Sequence, residues 1–199
     1  MFYNFIYRIV KFFLKPRIRL EGAEHIPAAG AVMLIANHIH AFDPIVVGVA
    51  MERPVHFLAK KELFKGNLIR WFFIKLHCIP VDRDNTDRSA LRRAVEVLKN
   101  GGVLGVFPEG TRSLDSEMLP FKSGGSYIAS QVPCMILPMA VTGTERLLHY
   151  LQKPVTLKIG EPFPYVALTG EKRRDTLERI TKMQEEAVKA LLMPTEDRS

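Results

Sequence analysis

The segment Asn37-His38-Ile39-His40-Ala41-Phe42-Asp43-Pro44 carries the residues best suited to proton chemistry. A histidine leaves the apolar run Ala31–Ala36 five residues before an aspartate that precedes a proline. A turn between them can fold the Asp43 carboxylate onto Nδ1 of His38. That contact fixes the tautomer and raises the basicity of the other ring nitrogen, so that His38 can accept a proton from an attacking hydroxyl. A plainer reading stays open, with Asp43 as a helix cap ahead of Pro44 and His38 as a satisfied core histidine. A third reading is a metal site on His38, His40 and Asp43. Metallohydrolases that start with H-x-H place a further Asp and His immediately afterwards; here Phe42 and Pro44 stand among those positions, and no second ligand cluster follows.

A second group, Phe107-Pro108-Glu109-Gly110-Thr111-Arg112-Ser113, comes directly after the buried-looking run Val103–Phe107. Strand ends in α/β sheets are where ligands bind. Gly110 permits close backbone approach, and Thr111 and Arg112 supply a hydroxyl and a phosphate-binding fork. Glu109 can orient the arginine or bind a substrate hydroxyl; an ordinary charged turn with an internal Glu–Arg pair is the plain alternative. Val81-Asp82-Arg83 and Ala59-Lys60-Lys61-Glu62-Leu63 are further basic elements after strand-like runs. No G-x-S-x-G elbow, P-loop or G-x-G-x-x-G occurs, so serine hydrolases, NTPases and dinucleotide enzymes lack support.

The elements that must position these residues are readable from periodicity. Residues 31–36, 54–58, 78–81, 103–107, 135–142 and 155–159 read as strands. Helices are expected over 43–51, 86–99, 124–130 and 171–192. The second of these presents Leu91, Ala94, Val95 and Leu98 on one face and stops at Gly101-Gly102. The last presents Leu177, Ile180, Ala187, Val188 and Leu191 inward. Strands alternating with helices predict a single α/β domain with a largely parallel central sheet flanked by helices.

At 199 residues the chain fits one domain, with neither repeats nor a dividing linker. It is 47% hydrophobic and 25% charged, the balance of a folded protein. Its net charge of +7 is uneven, with 12 Lys/Arg against 6 Asp/Glu in residues 1–83 and 16 against 15 afterwards. The basic excess thus lies beside the most apolar stretches, which suits a membrane surface better than nucleic acid, for which no recognised motif is present. Two cysteines, Cys78 and Cys134, make neither a disulfide framework nor a zinc cluster and read as buried thiols of a reducing compartment.

No uncharged apolar run of about 18 residues occurs, so a conventional spanning helix is not indicated. In residues 1–15, Asn4, Arg8, Lys11 and Lys15 recur at helical spacing, with Phe2, Phe5, Ile6, Ile9, Phe12 and Phe13 filling the rest of the surface. Such a helix is about 21 Å long, too short to cross a roughly 30 Å hydrocarbon core, and is expected to lie in the interface. Charges interrupt its apolar region and no small-residue cleavage site follows, unlike a signal peptide. An ordinary amphipathic helix packed on the domain is the alternative. Leu68-Ile69-Arg70-Trp71-Phe72-Phe73-Ile74-Lys75-Leu76 is a second aromatic-basic stretch, suited to the headgroup level or to a core helix. The expected division is therefore 1–16 as an amphipathic membrane-associating helix and 17–199 as the catalytic domain.

Taken in order, four segments resemble the glycerolipid acyltransferase family. His38 and Asp43, separated by four residues, are similar to its first block; Ile79-Pro80-Val81-Asp82-Arg83 to its second; Phe107–Ser113 to its third; and Val132-Pro133-Cys134-Met135-Ile136-Leu137-Pro138 to its fourth. The resemblance implies transfer of a fatty acyl group from an acyl thioester to the sn-2 hydroxyl of 1-acyl-sn-glycerol 3-phosphate, giving phosphatidic acid in phospholipid biosynthesis. It implies His38 as general base and Asp43 as its orienting partner. Lys60, Arg83, Glu109, Gly110, Thr111 and Arg112 would hold the acceptor, with Lys61 competing with Lys60 for the basic position. Neither cofactor nor metal is implied; acyl-CoA or acyl carrier protein is a co-substrate. No serine or cysteine nucleophile sits near the motif, so no acyl-enzyme is expected. Backbone N–H groups near Val81–Arg83 are the expected oxyanion donors. The expected place is the cytoplasmic face of the cell membrane, peripheral or monotopic, with lysophosphatidic acid, the acyl donor and the lipid surface as partners. Glycerol 3-phosphate or another lysophospholipid is the alternative acceptor. The metallohydrolase and a non-enzymatic basic protein are readings from other classes.

Overall fold

The computed structural model describes residues 2–82, 85, 87–113, 115, 117–146 and 154–193. An eight-stranded sheet runs in the order β1-β7-β6-β2-β5-β3-β4, with β8 off this path, paired to the start of β6. The strands are β1 Ile18–Glu21, β2 Val32–Ala36, β3 Val55–Lys60, β4 Ile79–Val81, β5 Val103–Val106, β6 Met135–Thr142, β7 Val155–Ile159 and β8 Phe163–Pro164. Pairs β1–β7, β6–β2, β2–β5, β5–β3 and β3–β4 are parallel; only β6–β7 and β6–β8 run antiparallel among the described residues.

The central strands explain their own apolar composition. Every residue of β2 and β5 is buried, because helices cover both faces of a parallel sheet and no position can face water. On one face Val32, Leu34 and Ala36 pack with Val46, Val47 and Met51 of helix α2 (Asp43–Ala50) and its end. On the other, Met33 and Ile35 meet Ala94 of α4 (Arg88–Lys99), Ile128 of α5 (Gly124–Ala129) and Ile180 of α6 (Arg173–Leu192). The result is a three-layer α/β domain of the kind expected.

Two strands were not expected, β1 and β8. Each is short and at an edge, and its strand character comes from a partner distant in sequence, Ile18 lying beside Val155 and Phe163 beside Ile136. Helix α4 begins after Asp87, whose carboxylate accepts from Ser89 N and Ala90 N, slightly later than the expected start at 86. Its buried stripe is Ala90, Ala94 and Leu98, with Leu91 and Val95 only partly covered. Helix α6 departs further: its buried stripe is Thr176, Ile180, Gln184 and Val188, so two of the four positions facing the core are polar. Gln184 accepts from the Ser126 hydroxyl of α5, and the Thr176 hydroxyl donates to Glu171, which makes those positions usable.

Helix α1 (Phe2–Leu14) stops where Pro16 disfavours continuation, and Lys15–Arg17 form a 3₁₀ turn. It rests on the domain rather than standing free. The Tyr7 hydroxyl donates to the Met51 carbonyl, Tyr3 stacks on Tyr7 and His77, and Leu14 joins the core beneath α2. Lys11 turns inward to donate to the Tyr7 hydroxyl at 2.7 Å, which breaks the expected basic stripe. Helix α3 (Asn67–Lys75) buries none of its residues, which excludes the core-helix reading of that stretch. Phe2 joins the two helices, with ring centroids 5.0 Å from Trp71 and 6.4 Å from Phe72. No helix among the described residues is long and apolar enough to cross a membrane. Cys134 is buried and Cys78 half-buried; burial pushes both thiols up to about 11.

Candidate active site

Because β3, β5, β2 and β6 are parallel neighbours, their C-terminal ends lie side by side at one edge of the sheet. Each end delivers a segment: Lys60 closes β3, Phe107–Ser113 follows β5, Asn37-His38 follows β2 and Gly143-Thr144 follows β6. Sequence order separates these residues by as much as 107 positions, from Asn37 to Thr144, while strand order makes them neighbours.

His38 and Asp43 form a buried pair. Nδ1 of His38 lies 2.8 Å from Oδ2 of Asp43, which fits the folded-back turn expected from the spacing. The same oxygen accepts from Ile39 N at 2.7 Å and His40 N at 2.8 Å. The other oxygen accepts from the Thr144 hydroxyl at 2.6 Å. Asp43 is therefore not the helix cap that the Asp-Pro pair suggested. Phe42 is the N-cap, Asp43 is the first helical residue, and its carboxylate points back into the loop. Four donors outweigh the single one a cap would offer, and a fully buried carboxylate needs them.

The imidazole is clamped between chemistry and packing. Its face stacks on Phe107 at 4.3 Å, and Phe107 in turn stacks on Phe57 at 6.0 Å. Gly105 makes room for that support, since a Cβ there would fall 2.2 Å from the Phe57 ring. The backbone of His38 is held as well: its N–H donates to Glu109 Oε1 at 2.6 Å, and its carbonyl accepts from Ser113 N at 2.8 Å. With Nδ1 committed to Asp43, Nε2 has no hydrogen-bond partner among the described residues.

Glu109 is 2% exposed, and its second oxygen accepts from Leu119 N at 2.9 Å. Burial pushes its carboxyl above the ordinary glutamate range, opposed by those two N–H groups. It ties the strand ends together and makes no pair with Arg112, which is exposed together with Thr111. Gly110 sits at φ +74°, where a side chain would be strained. Lys60 is exposed beside Glu62 at 3.8 Å, whereas Lys61 is held by Asp82 at 2.6 Å. Arg83 lies outside the described residues. Of the expected oxyanion donors, Asp82 N is already given to Asp87 at 3.1 Å. His40 turns its ring toward Phe42, at 5.0 Å. Among the described residues no three His, Cys, Asp or Glu side chains group as metal ligands.

Thr144 and Phe107 are positioning residues that the spacing arguments did not reach. Nothing local marks Thr144: it follows a glycine after a strand and meets Asp43 across 101 positions. Thr144→Val keeps the shape and leaves Asp43 Oδ1 buried without its donor. Urea unfolding is expected to show a loss of about 1–3 kcal/mol, and turnover to fall several-fold, with Thr144→Ser restoring both. Unchanged stability and turnover in the valine variant would remove Thr144 from the site.

Known proteins are similar to this chain in sequence and, for one solved structure, in fold. The 1-acyl-sn-glycerol-3-phosphate acyltransferase of Bacillus subtilis (strain 168) is 31% identical over 193 residues, covering 95% of this chain and 96% of its own. The enzyme of that name from Limnanthes douglasii is 34% identical over 172 residues, 82% of this chain and 60% of its own. The crystal structure of the 1-acyl-sn-glycerophosphate (LPA) acyltransferase PlsC from Thermotoga maritima superposes with a TM-score of 0.70 at 27% identity, covering 96% of this chain and 82% of that one. The Acyltransferase family model matches residues 17–142, the span that carries His38, Asp43 and the Glu109–Arg112 loop, and the chain belongs to that family.

Proposed function

We propose that the enzyme transfers a fatty acyl group from an acyl thioester to the sn-2 hydroxyl of 1-acyl-sn-glycerol 3-phosphate, yielding phosphatidic acid for phospholipid synthesis. The observation that carries this reading is the buried 2.8 Å contact between His38 Nδ1 and Asp43, with Nε2 left unpartnered. Nε2 takes the proton of the acceptor hydroxyl as its oxygen attacks the thioester carbonyl. The tetrahedral intermediate expels the thiolate, which receives the proton back from the imidazolium. Asp43 stabilises the transient positive charge and holds the tautomer. The reaction needs neither a metal nor a cofactor; acyl-CoA or acyl carrier protein brings the acyl group.

The phosphate of the acceptor is assigned to the basic residues Lys60, Arg83 and Arg112, with Gly110 and Thr111 admitting its glycerol. Glu109 serves by holding His38 in register through the 2.6 Å bond to its N–H. Glycerol 3-phosphate or a different lysophospholipid is the alternative acceptor. A metallohydrolase on His38, His40 and Asp43 is disfavoured, because the carboxylate and Nδ1 face each other rather than a shared ion position. Purified protein with 1-acyl-glycerol 3-phosphate and an acyl thioester should release thiol in the presence of chelator; activity abolished by chelation would overturn the mechanism.

Membrane attachment follows from the surface. Phe5, Phe12 and Phe13 of α1 and Leu68, Ile69 and Trp71 of α3 are exposed, Phe12 and Leu68 by about three quarters of their surface. Joined through Phe2, the two helices present an apolar face with basic residues alongside. That face supports a peripheral or monotopic place on the cytoplasmic side of the cell membrane. Removing residues 1–14 would also unseat Tyr7 and Leu14 from the domain, so exposed positions make the better test. Phe12→Asp with Phe13→Asp is expected to weaken binding to anionic vesicles by about thirtyfold, on the order of 2 kcal/mol of lost apolar burial, without lowering the unfolding midpoint. Undiminished co-sedimentation would refute the attachment.

A further inference from the structure

We infer that Lys122, outside the four motif segments read from the sequence, is a phosphate-binding residue of the acceptor site. This rests on the acyl-transfer reading above. The Glu109–Ser113 loop does not stand alone at the strand end. The chain returns beneath it: Glu109 Oε2 accepts from Leu119 N at 2.9 Å, and the Pro108 carbonyl accepts from Lys122 N at 2.9 Å. These two bonds fix the backbone of Lys122 against the first turn of the loop, and its side chain then lies along Gly110. A Cβ built on Gly110 would come within 2.9 Å of Lys122 Nζ, 3.2 Å of Cδ and 3.3 Å of Cε. Gly110 takes its positive φ as a glycine can, and the lysine side chain lies in the space that a Cβ there would enter.

The ammonium so placed is exposed, and it makes no ion pair or hydrogen bond among the described residues. Other cations are engaged: Lys61 by Asp82, Lys60 beside Glu62, and Arg179 by Glu171. A lysine held by its backbone and stem, with its charge unspent and resting on the loop that carries Thr111 and Arg112, is arranged to meet an anion. The acceptor's phosphate is the anion that the reaction brings to this loop. Arg112 offers a planar fork and Lys122 a compact point charge with three donors, so the two complement each other around a tetrahedral dianion.

Two variants separate charge from scaffold. Lys122→Met keeps the stem over Gly110 and removes the ammonium; Lys122→Arg keeps the charge. The full-length protein is assayed with 1-acyl-glycerol 3-phosphate and with phosphate-free 1-acylglycerol, resolving kcat, both KM values and the unfolding midpoint. Direct binding of 1-acyl-glycerol 3-phosphate is titrated alongside by calorimetry. One charge-assisted hydrogen bond corresponds to roughly ten- to hundredfold. Lys122→Met is expected to raise the acceptor KM and Kd by that factor, to leave kcat and the donor KM within about twofold, and to lower the preference for the phosphorylated acceptor equally. Lys122→Arg should recover most of it. Unchanged acceptor binding, equal loss on both acceptors, or an effect confined to the donor KM would each overturn the assignment. The calorimetric arm needs no turnover, so a protein that binds the acceptor through Lys122 and transfers nothing would defeat the acyl-transfer reading alone.

Discussion

His38→Ala is expected to lower kcat/KM for acyl transfer by about 10²- to 10⁴-fold, the range contributed by a positioned general base. The argument is geometric. His38 is 8% exposed, stacked on Phe107 and tethered through Nδ1, so the remaining nitrogen is the one left for proton transfer. The His38 backbone bonds to Glu109 and Ser113 do not use the side chain and survive the substitution. The variant should therefore fold, losing the buried ring but not the loop register. Thiol release from an acyl thioester in the presence of 1-acyl-glycerol 3-phosphate measures the effect, and a melt by circular dichroism checks the fold. A variant that turns over within tenfold of the wild type would show that another group takes the proton.

Asp43→Asn and Asp43→Ala are expected to part company, and the difference reports what the carboxylate does. Asparagine keeps the volume. Its oxygen can still accept from Ile39 N, His40 N and His38, while its amide can donate to Thr144. The fold should survive with a loss of about 1–3 kcal/mol. The negative charge is gone, however, so the imidazolium formed during transfer is no longer stabilised. Loss of such a charge from an Asp–His pair costs on the order of 10⁴ in kcat in the serine-protease triad. A fall of about 10³- to 10⁴-fold in kcat with little change in acceptor KM is the expected result. Alanine is worse for a different reason. It abandons four donors in a fully buried position, each costing about 1–3 kcal/mol, and that sum rivals the whole stability of an ordinary domain. Asp43→Ala should therefore be recovered poorly or melt early. Near-normal turnover in Asp43→Asn would reduce Asp43 to a loop scaffold.

The positions where sequence reading and structure differ share one cause. Asp43-Pro44 looks like a helix start, and one does lie there, but the carboxylate turns back into the 38–40 loop and is completed by a threonine 101 residues onward. The polar stripe of α1 was readable from its period, yet Lys11 left it for the Tyr7 hydroxyl once Tyr7 had docked on Met51. Gln184 sits in a helix stripe that hydropathy assigns to aliphatic residues, and the Ser126 hydroxyl brings it a polar partner from α5. Thr144 and Ser126 are partners from elements that no local pattern can name, and Lys11 follows a neighbour whose own docking on Met51 is long-range. Where partners are local, the reading succeeded: α4 stops at Gly101-Gly102, and β2, β5 and β6 are the runs whose continuous apolar character demanded burial on both faces.

The sequence alone determined the chemistry of this site at short range. Three of the four donors to Asp43 lie within five residues of it, so the turn 38–43 nearly defines the His–Asp pair by itself. It also determined that the sheet is mostly parallel, since β2, β4 and β5 are each followed by a helix that returns the chain to the same end. Only the tertiary structure decided the order of the strands across that sheet, because order depends on which crossovers bury the most surface rather than on any single element. That order sets β2 between β5 and β6, and thereby puts the Glu109 loop on one side of His38 and Thr144 on the other.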